Sequence, residues 1–595
     1  MILRTSQRPL AQGKISLPVI GLITALMLGF LPWWLSLSPF VLSMLMQTVT
    51  YSIAVLGMVV VLGYTGQINL GQAAFFGLGA YSVALGTTVH GMGFWPALAL
   101  GVLIAAIAGA VLGMTTLRLG GHYLAMITIS FQQIFDLVAV NWIELTHGPD
   151  GIAGIGRPQL GNLVLTDDRA YLSLCFAMLI VLLIFVAWLP GTRWGRAMCS
   201  VRENELAADV VGVPTMRTKV GSFTLCAMLG AIGGGLYAAG FAYISPDNFN
   251  FSRAVEFLSM VLLGGAQSPI GGVIGTTLLI LLPEWLKEMP KSLQFIKDIY
   301  LVIYGLAVIL IMIFMPQGIW GLLRSRFRPT VIAPPAAAAL SLGGESLGDD
   351  ALLQLSGLSK HFGGLRAVDG LDMVVRRGTI HALIGPNGSG KTTTLNVASG
   401  LYRPTAGSIH IAGVDITSAA PHQRAAQGMG RTFQNIRLFP QLSVLENVII
   451  GAQRAGNPTD RGEIALRARA LAALDFVGLR DKFADQASLL PYGHQRLVEI
   501  ARTLAGHPRL LLLDEPAAGL NQTEKSEMMQ LLRRLRDQYG LTILLIDHDM
   551  RLVEGVSDVI TVLNFGKKIA EGPPNEVLHD SAVIAAYLGD ADALA

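Results

Sequence analysis

The run Gly385-Pro386-Asn387-Gly388-Ser389-Gly390-Lys391-Thr392-Thr393 has the spacing of a loop that holds phosphate. Its glycines let successive backbone N–H groups curl around phosphate oxygens. Lys391 adds a positive point charge, and the Thr392 hydroxyl is suited to Mg²⁺. About 120 residues downstream, the aliphatic run Leu510-Leu511-Leu512-Leu513 ends in Asp514-Glu515. Asp514 suits the Mg²⁺ shell, and Glu515 suits orienting or deprotonating an attacking water. A third aliphatic run, Thr542–Ile546, ends in Asp547-His548-Asp549, where His548 is placed to reach a γ-phosphate. The chemistry these residues describe is hydrolysis of a nucleoside triphosphate.

Such residues need strand ends to carry them. Ile380–Ile384 reads as the strand before the phosphate loop, and Thr394-Leu395-Asn396-Val397 as the start of the helix after it. From Leu352 onward, short β-type runs alternate with helical segments, which implies an α/β domain. Before it, residues 329–350 form a Pro/Ala/Gly-rich linker without apolar period.

The first part of the chain has a different composition. Of the 595 residues only 14% are charged, against roughly 25% in soluble domains. The first 330 residues hold 31 of these charges and the rest hold 52. No Asp, Glu, Lys or Arg occurs in the 103 residues between Lys14 and Arg118. A wholly soluble protein is excluded, and so is a disordered chain. The net charge of +3, without a clustered basic face, gives no sign of a nucleic-acid partner. Cys175, Cys199 and Cys226 fit no metal spacing and read as unpaired thiols.

Apolar runs place membrane spans near 17–37, 40–63, 71–90, 95–117, 122–140, 171–190, 216–243 and 297–316. Basic residues at Arg4, Arg8, Lys14, Arg118, the 191–220 segment and Arg324–Arg328 put those ends on the cytoplasmic side. The parity of crossings then requires 254–286, split around Gly264–Gly272, to enter and return or to cross twice. Polar residues within spans draw attention: Gln67, Asn69 and Gln72 at one junction, and Gln132, Gln133 and Asp136 in the fifth span. The first three are assigned to a solute pathway, against the plainer role of joining helices.

With these motifs in order, residues 351–595 resemble an ATP-binding-cassette ATPase, an α/β fold with a helical subdomain. The resemblance implies that Phe362 stacks on adenine and that Gln434 is the Q-loop glutamine meeting Mg²⁺. Leu490-Pro491-Tyr492-Gly493-His494 stands where the family writes Leu-Ser-Gly-Gly-Gln, and Ala517–Asn521 as the D-loop. Pro491 lacks the hydroxyl that bonds the γ-phosphate held by an opposing cassette, and His494 replaces the glutamine. The site using this signature is therefore expected to bind or hydrolyse ATP less well.

The first part resembles permeases of high-affinity branched-chain amino acid uptake systems. The resemblance rests on Gly63-Tyr64-Thr65-Gly66-Gln67, Leu117–Met126, Asp150–Ile155, Arg202–Ala208 and Met315–Gly321. It implies a polytopic α-helical permease domain at 1–328 fused to the ATPase at 351–595, in the inner membrane with the ATPase cytoplasmic. Glu203–Gly212, with Glu203, Glu205, Ala207, Ala208 and Gly212, is similar to the coupling helix of importers. A second permease, a second cassette and an outer binding protein are implied as partners, with ATP and Mg²⁺ as ligands. An exporter or flippase, and an ATP-gated channel, are the competing readings.

Overall fold

The computed structural model describes residues 38–116, 122–160, 163–287, 318–324, 350–453 and 462–588, together with 302, 305–306, 309–310, 313–315 and 340. The spans expected at 17–37 and, for the most part, 297–316 lie outside them, as do Arg118 and nearly all of the 329–350 linker. The chain forms two compact units: Met1–Met198 with Lys219–Pro329, and Cys199–Thr218 with Thr330–Ala595.

The first unit is helical. Five described helices are long and apolar enough to cross a membrane: Pro39–Tyr64, Phe94–Met114, Tyr123–Asn141, Asp168–Gly191 and Thr215–Phe241. Ser38 caps the first and Pro39 opens it, a position where the missing N–H costs nothing. Its last turn, Val59–Tyr64, widens to a π-helix and stops at Thr65, whose Oγ1 donates to Val61 O at 2.8 Å. Gln72–Thr88, expected as the third span, is a 17-residue helix at the short end of spanning length. The 254–286 stretch forms two helices, Phe251–Gly264 and Pro269–Lys287, interrupted at residues 265–268, as its central glycines predict. Small residues let these helices touch through backbone: a Cβ on Gly234 would lie 1.7 Å from Phe76 O, and one on Gly63 1.9 Å from Ala266 O.

The second unit carries two sheets. Antiparallel strands β1 (Ala351–Phe362), β2 (Leu365–Arg376), β4 (Ala406–Ile411) and β5 (Val414–Asp415) lie in the order β2-β1-β4-β5. The second sheet runs β6-β7-β8-β3-β9-β10, built from β3 (Ile380–Ile384), β6 (Met429–Arg431), β7 (Leu510–Asp514), β8 (Thr542–Ile546), β9 (Val559–Asn564) and β10 (Lys567–Gly572). Its pairs are parallel except β9 with β10. β3, β7 and β8 are buried along their whole length, which is why they read as unbroken aliphatic runs. A separate apolar core joins helices Val444–Ala452, Glu463–Phe476 and Tyr492–Leu504.

Candidate functional site

Parallel strands present their C-terminal ends along one edge, where ligands of such sheets bind. Four of these ends bring the expected residues together. β3 leads into Gly385–Gly390, β6 into Thr432–Gln434, β7 ends at Asp514, and β8 leads into Asp547-His548. The helix after the phosphate loop begins at Lys391, three residues earlier than the sequence suggests, because Gly390 at φ 100° turns the chain directly into the first helical turn. A Cβ on Gly390 would meet Ala367 O at 2.2 Å, so only glycine fits there.

The Lys391 ammonium donates to Gly385 O at 2.7 Å and Pro386 O at 2.8 Å. Burial pushes its pKa down, opposed by the negative charge of Glu515 and Asp514. Asp514 is 1% exposed, and burial raises its pKa against the pull of Arg431, whose Nη2 lies 3.6 Å from Asp514 Oδ2. Asp514 Oδ1 is buried and has no hydrogen-bond partner among the described residues. A buried, orphaned carboxylate oxygen, the exposed Thr392 in the first turn after the phosphate loop and the Gln434 amide beyond β6 are a donor set that fits a hard divalent cation.

Glu515 sits in the left-handed region at φ 49°, a strained setting for a residue with a side chain. Its carboxylate is held from two sides. Gln434 Nε2 donates to Oε2 at 3.0 Å, and His548 Nε2 lies 2.6 Å from Oε1. Asp547 Oδ2 accepts from Ala517 N at 3.2 Å, which fixes the loop after Glu515. The side chains expected to orient water, meet the metal and sense phosphate thus form one contiguous group.

Phe362 is 42% exposed and meets Tyr402 edge to face, centroids 5.4 Å apart, with the Lys360 ammonium 5.0 Å from the Phe362 ring. Tyr402 escaped the sequence reading, since only folding brings it beside Phe362. Pro491 is the N-cap of Tyr492–Leu504 and supplies no capping side chain. Gly493 is tight against Glu524: a Cβ there would come within 2.6 Å of Glu524 Oε1. His494 Nδ1 is buried without a partner among the described residues, and Leu490 packs in the helical core.

A charged cluster behind the signature also went unread. Arg496 is fully buried and donates to Phe433 O at 2.6 Å, Gln434 O at 2.7 Å and Glu499 Oε2 at 3.2 Å. Arg502 donates to Arg437 O at 2.7 Å. The signature helix is thereby clipped to the Q-loop. The i, i+3 spacing of Arg496 and Glu499 was the available signal, but such pairs are usually solvent-exposed.

The expected coupling segment belongs to the same compact unit as these loops. It is not one helix over Glu203–Gly212: one helix ends at Glu203, Asn204 caps a second over Glu205–Val210, and Gly212 turns away at φ 102°. Asn204 Oδ1 accepts from Ala207 N at 3.0 Å. Ala207 and Ala208 are buried, while Glu205 is exposed. Glu203 Oε2 accepts from Gln441 N at 3.1 Å, and Asp209 Oδ1 lies 2.9 Å from His422 Nδ1.

In the first unit, Asn69 and Gln72 are fully buried with fixed partners. Asn69 Nδ2 donates to Gln72 Oε1 at 3.2 Å, and Gln72 Nε2 to Ala54 O at 2.8 Å. Cys226 Sγ also reaches Gln72 Oε1, at 3.0 Å. Gln67 differs: its Oε1 is buried without a partner among the described residues. Gln132 bridges elements by accepting from Ala74 N at 2.7 Å and donating to Phe249 O at 2.7 Å. The three cysteines are buried and unpaired.

A phosphate loop, the paired acids Asp514 and Glu515, and His548 on one sheet edge, in a chain whose other unit is apolar helices, define an ATP-binding-cassette transporter. The ABC transporter family profile matches residues 368–518. The profile "Branched-chain amino acid transport system / permease component" matches 40–315, and "Branched-chain amino acid ATP-binding cassette transporter" matches 567–593. The high-affinity branched-chain amino acid transport ATP-binding protein BraF of Pseudomonas aeruginosa is 41% identical over 251 residues, covering 40% of this chain and 98% of that protein. LivG of Escherichia coli, described in the same words, is 42% identical over 252 residues, 40% of this chain and 98% of LivG. The Escherichia coli high-affinity branched-chain amino acid transport system permease protein LivM is 31% identical over 329 residues, 51% of this chain and 76% of LivM. The chain belongs to the branched-chain amino acid ABC transporter family, and it joins that family's permease and ATP-binding components in one polypeptide. It is a multi-pass membrane protein with a cytoplasmic ATPase that couples ATP hydrolysis to transport.

Proposed function

We propose that this chain is the permease–ATPase half of a binding-protein-dependent importer of branched-chain amino acids or a related small amide or carboxylate solute. The permease is assigned to 1–328, the linker to 329–350 and the cassette to 351–595. The observation that carries the reading is the hydrogen bond from Gln441 N to Glu203, which docks a segment between two spans beside the Q-loop. Movement of the Q-loop then reaches the permease through that segment.

Each ATP lies between the Lys391 loop of one cassette and the Pro491 signature of another, so a second cassette and a second permease are required. Phe362 carries the adenine, and Gly385–Thr393 hold the phosphates. Thr392, Gln434 and Asp514 would hold Mg²⁺, which neutralises developing phosphate charge when bound. Glu515 accepts a proton from the attacking water, and Gln434 and His548 hold its carboxylate in line. Within the permease, Gln67 is assigned to the solute route, where its Oε1 is an acceptor without a partner among the described residues, whereas Asn69 and Gln72 take the plainer role of joining helices.

The test is uptake of labelled leucine by the chain reconstituted with its partner subunits in vesicles. ATP-driven accumulation that needs the binding protein supports the reading. Accumulation without a binding protein, or ATP-driven release from right-side-out vesicles, overturns it.

A further inference from the structure

The first unit holds a charge pair that the motor does not use. Arg253 and Glu256 lie in the first turns of Phe251–Gly264, with Arg253 Nη1 2.5 Å from Glu256 Oε2. The Arg253 guanidinium carbon sits 5.2 Å from the centroid of Tyr51. Tyr51 is the thirteenth of the 26 residues of the Pro39–Tyr64 span, so the cation lies beside the middle of a membrane helix. An arginine there is costly unless it serves a partner or a pathway.

The surroundings sharpen this. The Tyr51 ring packs against Phe76, Tyr237 and Phe257 at centroid distances of 5.5, 5.8 and 5.2 Å. Arg253 Nε is buried and has no hydrogen-bond partner among the described residues, whereas the Tyr51 hydroxyl is shared with Gln47 and Tyr237. One guanidinium donor is therefore held without an acceptor. The Glu256 side chain is 41% exposed and that of Arg253 is 23% exposed. Hydrocarbon does not accept an ionised carboxylate, so this face meets water or another subunit. Phe251–Gly264, at 14 residues, is too short to cross a bilayer and is followed by the break at 265–268. Interrupted helices of this kind line solute sites in transporters.

We propose that Arg253 and Glu256 form the ionic clasp for a zwitterionic amino acid in the permease. The solute carboxylate takes the guanidinium fork of Arg253, and the solute ammonium takes Glu256. The aromatic wall of Tyr51, Tyr237 and Phe257 borders the place where the aliphatic side chain begins. This rests on the importer reading above and narrows its substrate to solutes with both charges, against neutral amides such as urea.

The experiment measures leucine uptake by the reconstituted complex with leucinamide, which lacks the carboxylate, as competitor. Co-purification of the partner subunits reports assembly. The unaltered complex is expected to reject leucinamide. Arg253→Gln is expected to raise the leucine KM at least tenfold and to abolish that discrimination. Arg253→Lys, which keeps the charge but not the bidentate fork, is expected to raise KM several-fold while discrimination persists. Glu256→Gln is expected to raise KM for leucine, with 4-methylpentanoate, which lacks the ammonium, gaining relative to leucine as a competitor. Unchanged KM in both Arg253→Lys and Glu256→Gln, or retained discrimination in an assembled Arg253→Gln complex, overturns the clasp while leaving the importer intact. An unaltered complex that takes up no amino acid overturns both.

Discussion

Glu203 accepts a hydrogen bond from the backbone N–H of Gln441 at 3.1 Å, and these residues lie 238 positions apart in the chain. Arg202 completes the arrangement by pairing with Glu203 Oε1 at 2.6 Å. The bond ties a segment between two spans to the loop that also carries Gln434. A hydrogen bond to a charged group contributes about 1.5–3 kcal/mol at most, and less, about 1–2 kcal/mol, where the carboxylate keeps a partly exposed ion pair such as that with Arg202. Glu203→Ala should therefore separate the two activities, leaving most of the ATP hydrolysis and lowering solute uptake roughly 5- to 30-fold, the factor of about 1–2 kcal/mol of lost coupling. Measuring both rates on the same vesicles checks this. Proportional loss of both would place Glu203 in the motor rather than in the link.

Glu515 is clasped by Gln434 and His548, and its backbone is held at φ 49°. Replacing it with glutamine keeps the shape and removes the proton acceptor. Glu515→Gln should slow ATP turnover by about 10² to 10⁴ while nucleotide binding persists. Binding is checked with a fluorescent ATP analogue and turnover by phosphate release. Turnover within a few-fold of the unaltered protein would remove Glu515 from the chemistry.

Glu515 and His548 were legible because each follows a run of buried aliphatics, whereas Gln434 was legible only through the family resemblance. Leu510–Leu513 and Thr542–Ile546 lie inside a parallel sheet, covered on both faces, so their sequence shows no alternation and their ends stand out. Long-range contacts were not legible. Arg496 looks like one half of a helix-surface pair with Glu499, yet it is buried against Phe433 and Gln434, more than 60 positions earlier. Tyr402 carries no motif and gains its place beside Phe362 only through the pairing of β1 with β4. The split of the coupling segment at Asn204 was in principle readable, because asparagine accepting from the third following N–H is a common helix start.

Pro491 occupies the N-cap of the signature helix and leaves its first-turn N–H groups without a side-chain acceptor. Serine at this position supplies both a cap, worth about 1 kcal/mol, and the hydroxyl that a facing γ-phosphate accepts from. Pro491→Ser should raise ATP turnover and lower the ATP concentration needed for half-maximal rate. Identical kinetics in the two proteins would mean that the signature backbone alone suffices.

His381 lies within β3, 1% exposed, with Nε2 2.7 Å from Thr561 Oγ1. Burial pushes its pKa down to about 4. The unfolded chain takes up this proton near pH 6.5, whereas the folded cassette resists it until about pH 4. The unfolded state therefore binds more protons throughout that window, and stability present above pH 6.5 is lost as pH falls toward 4, by about 3 kcal/mol in total. Other acid-sensitive groups contribute to the same fall, so the difference from a variant is the informative quantity. His381→Gln keeps a donor and an acceptor for Thr561 and cannot be protonated. Thermal unfolding of the two full-length proteins in detergent should show the unaltered chain losing Tm more steeply between pH 6.5 and 4. Curves that stay parallel across this range would mean that His381 is protonated as readily in the folded cassette as in the unfolded chain.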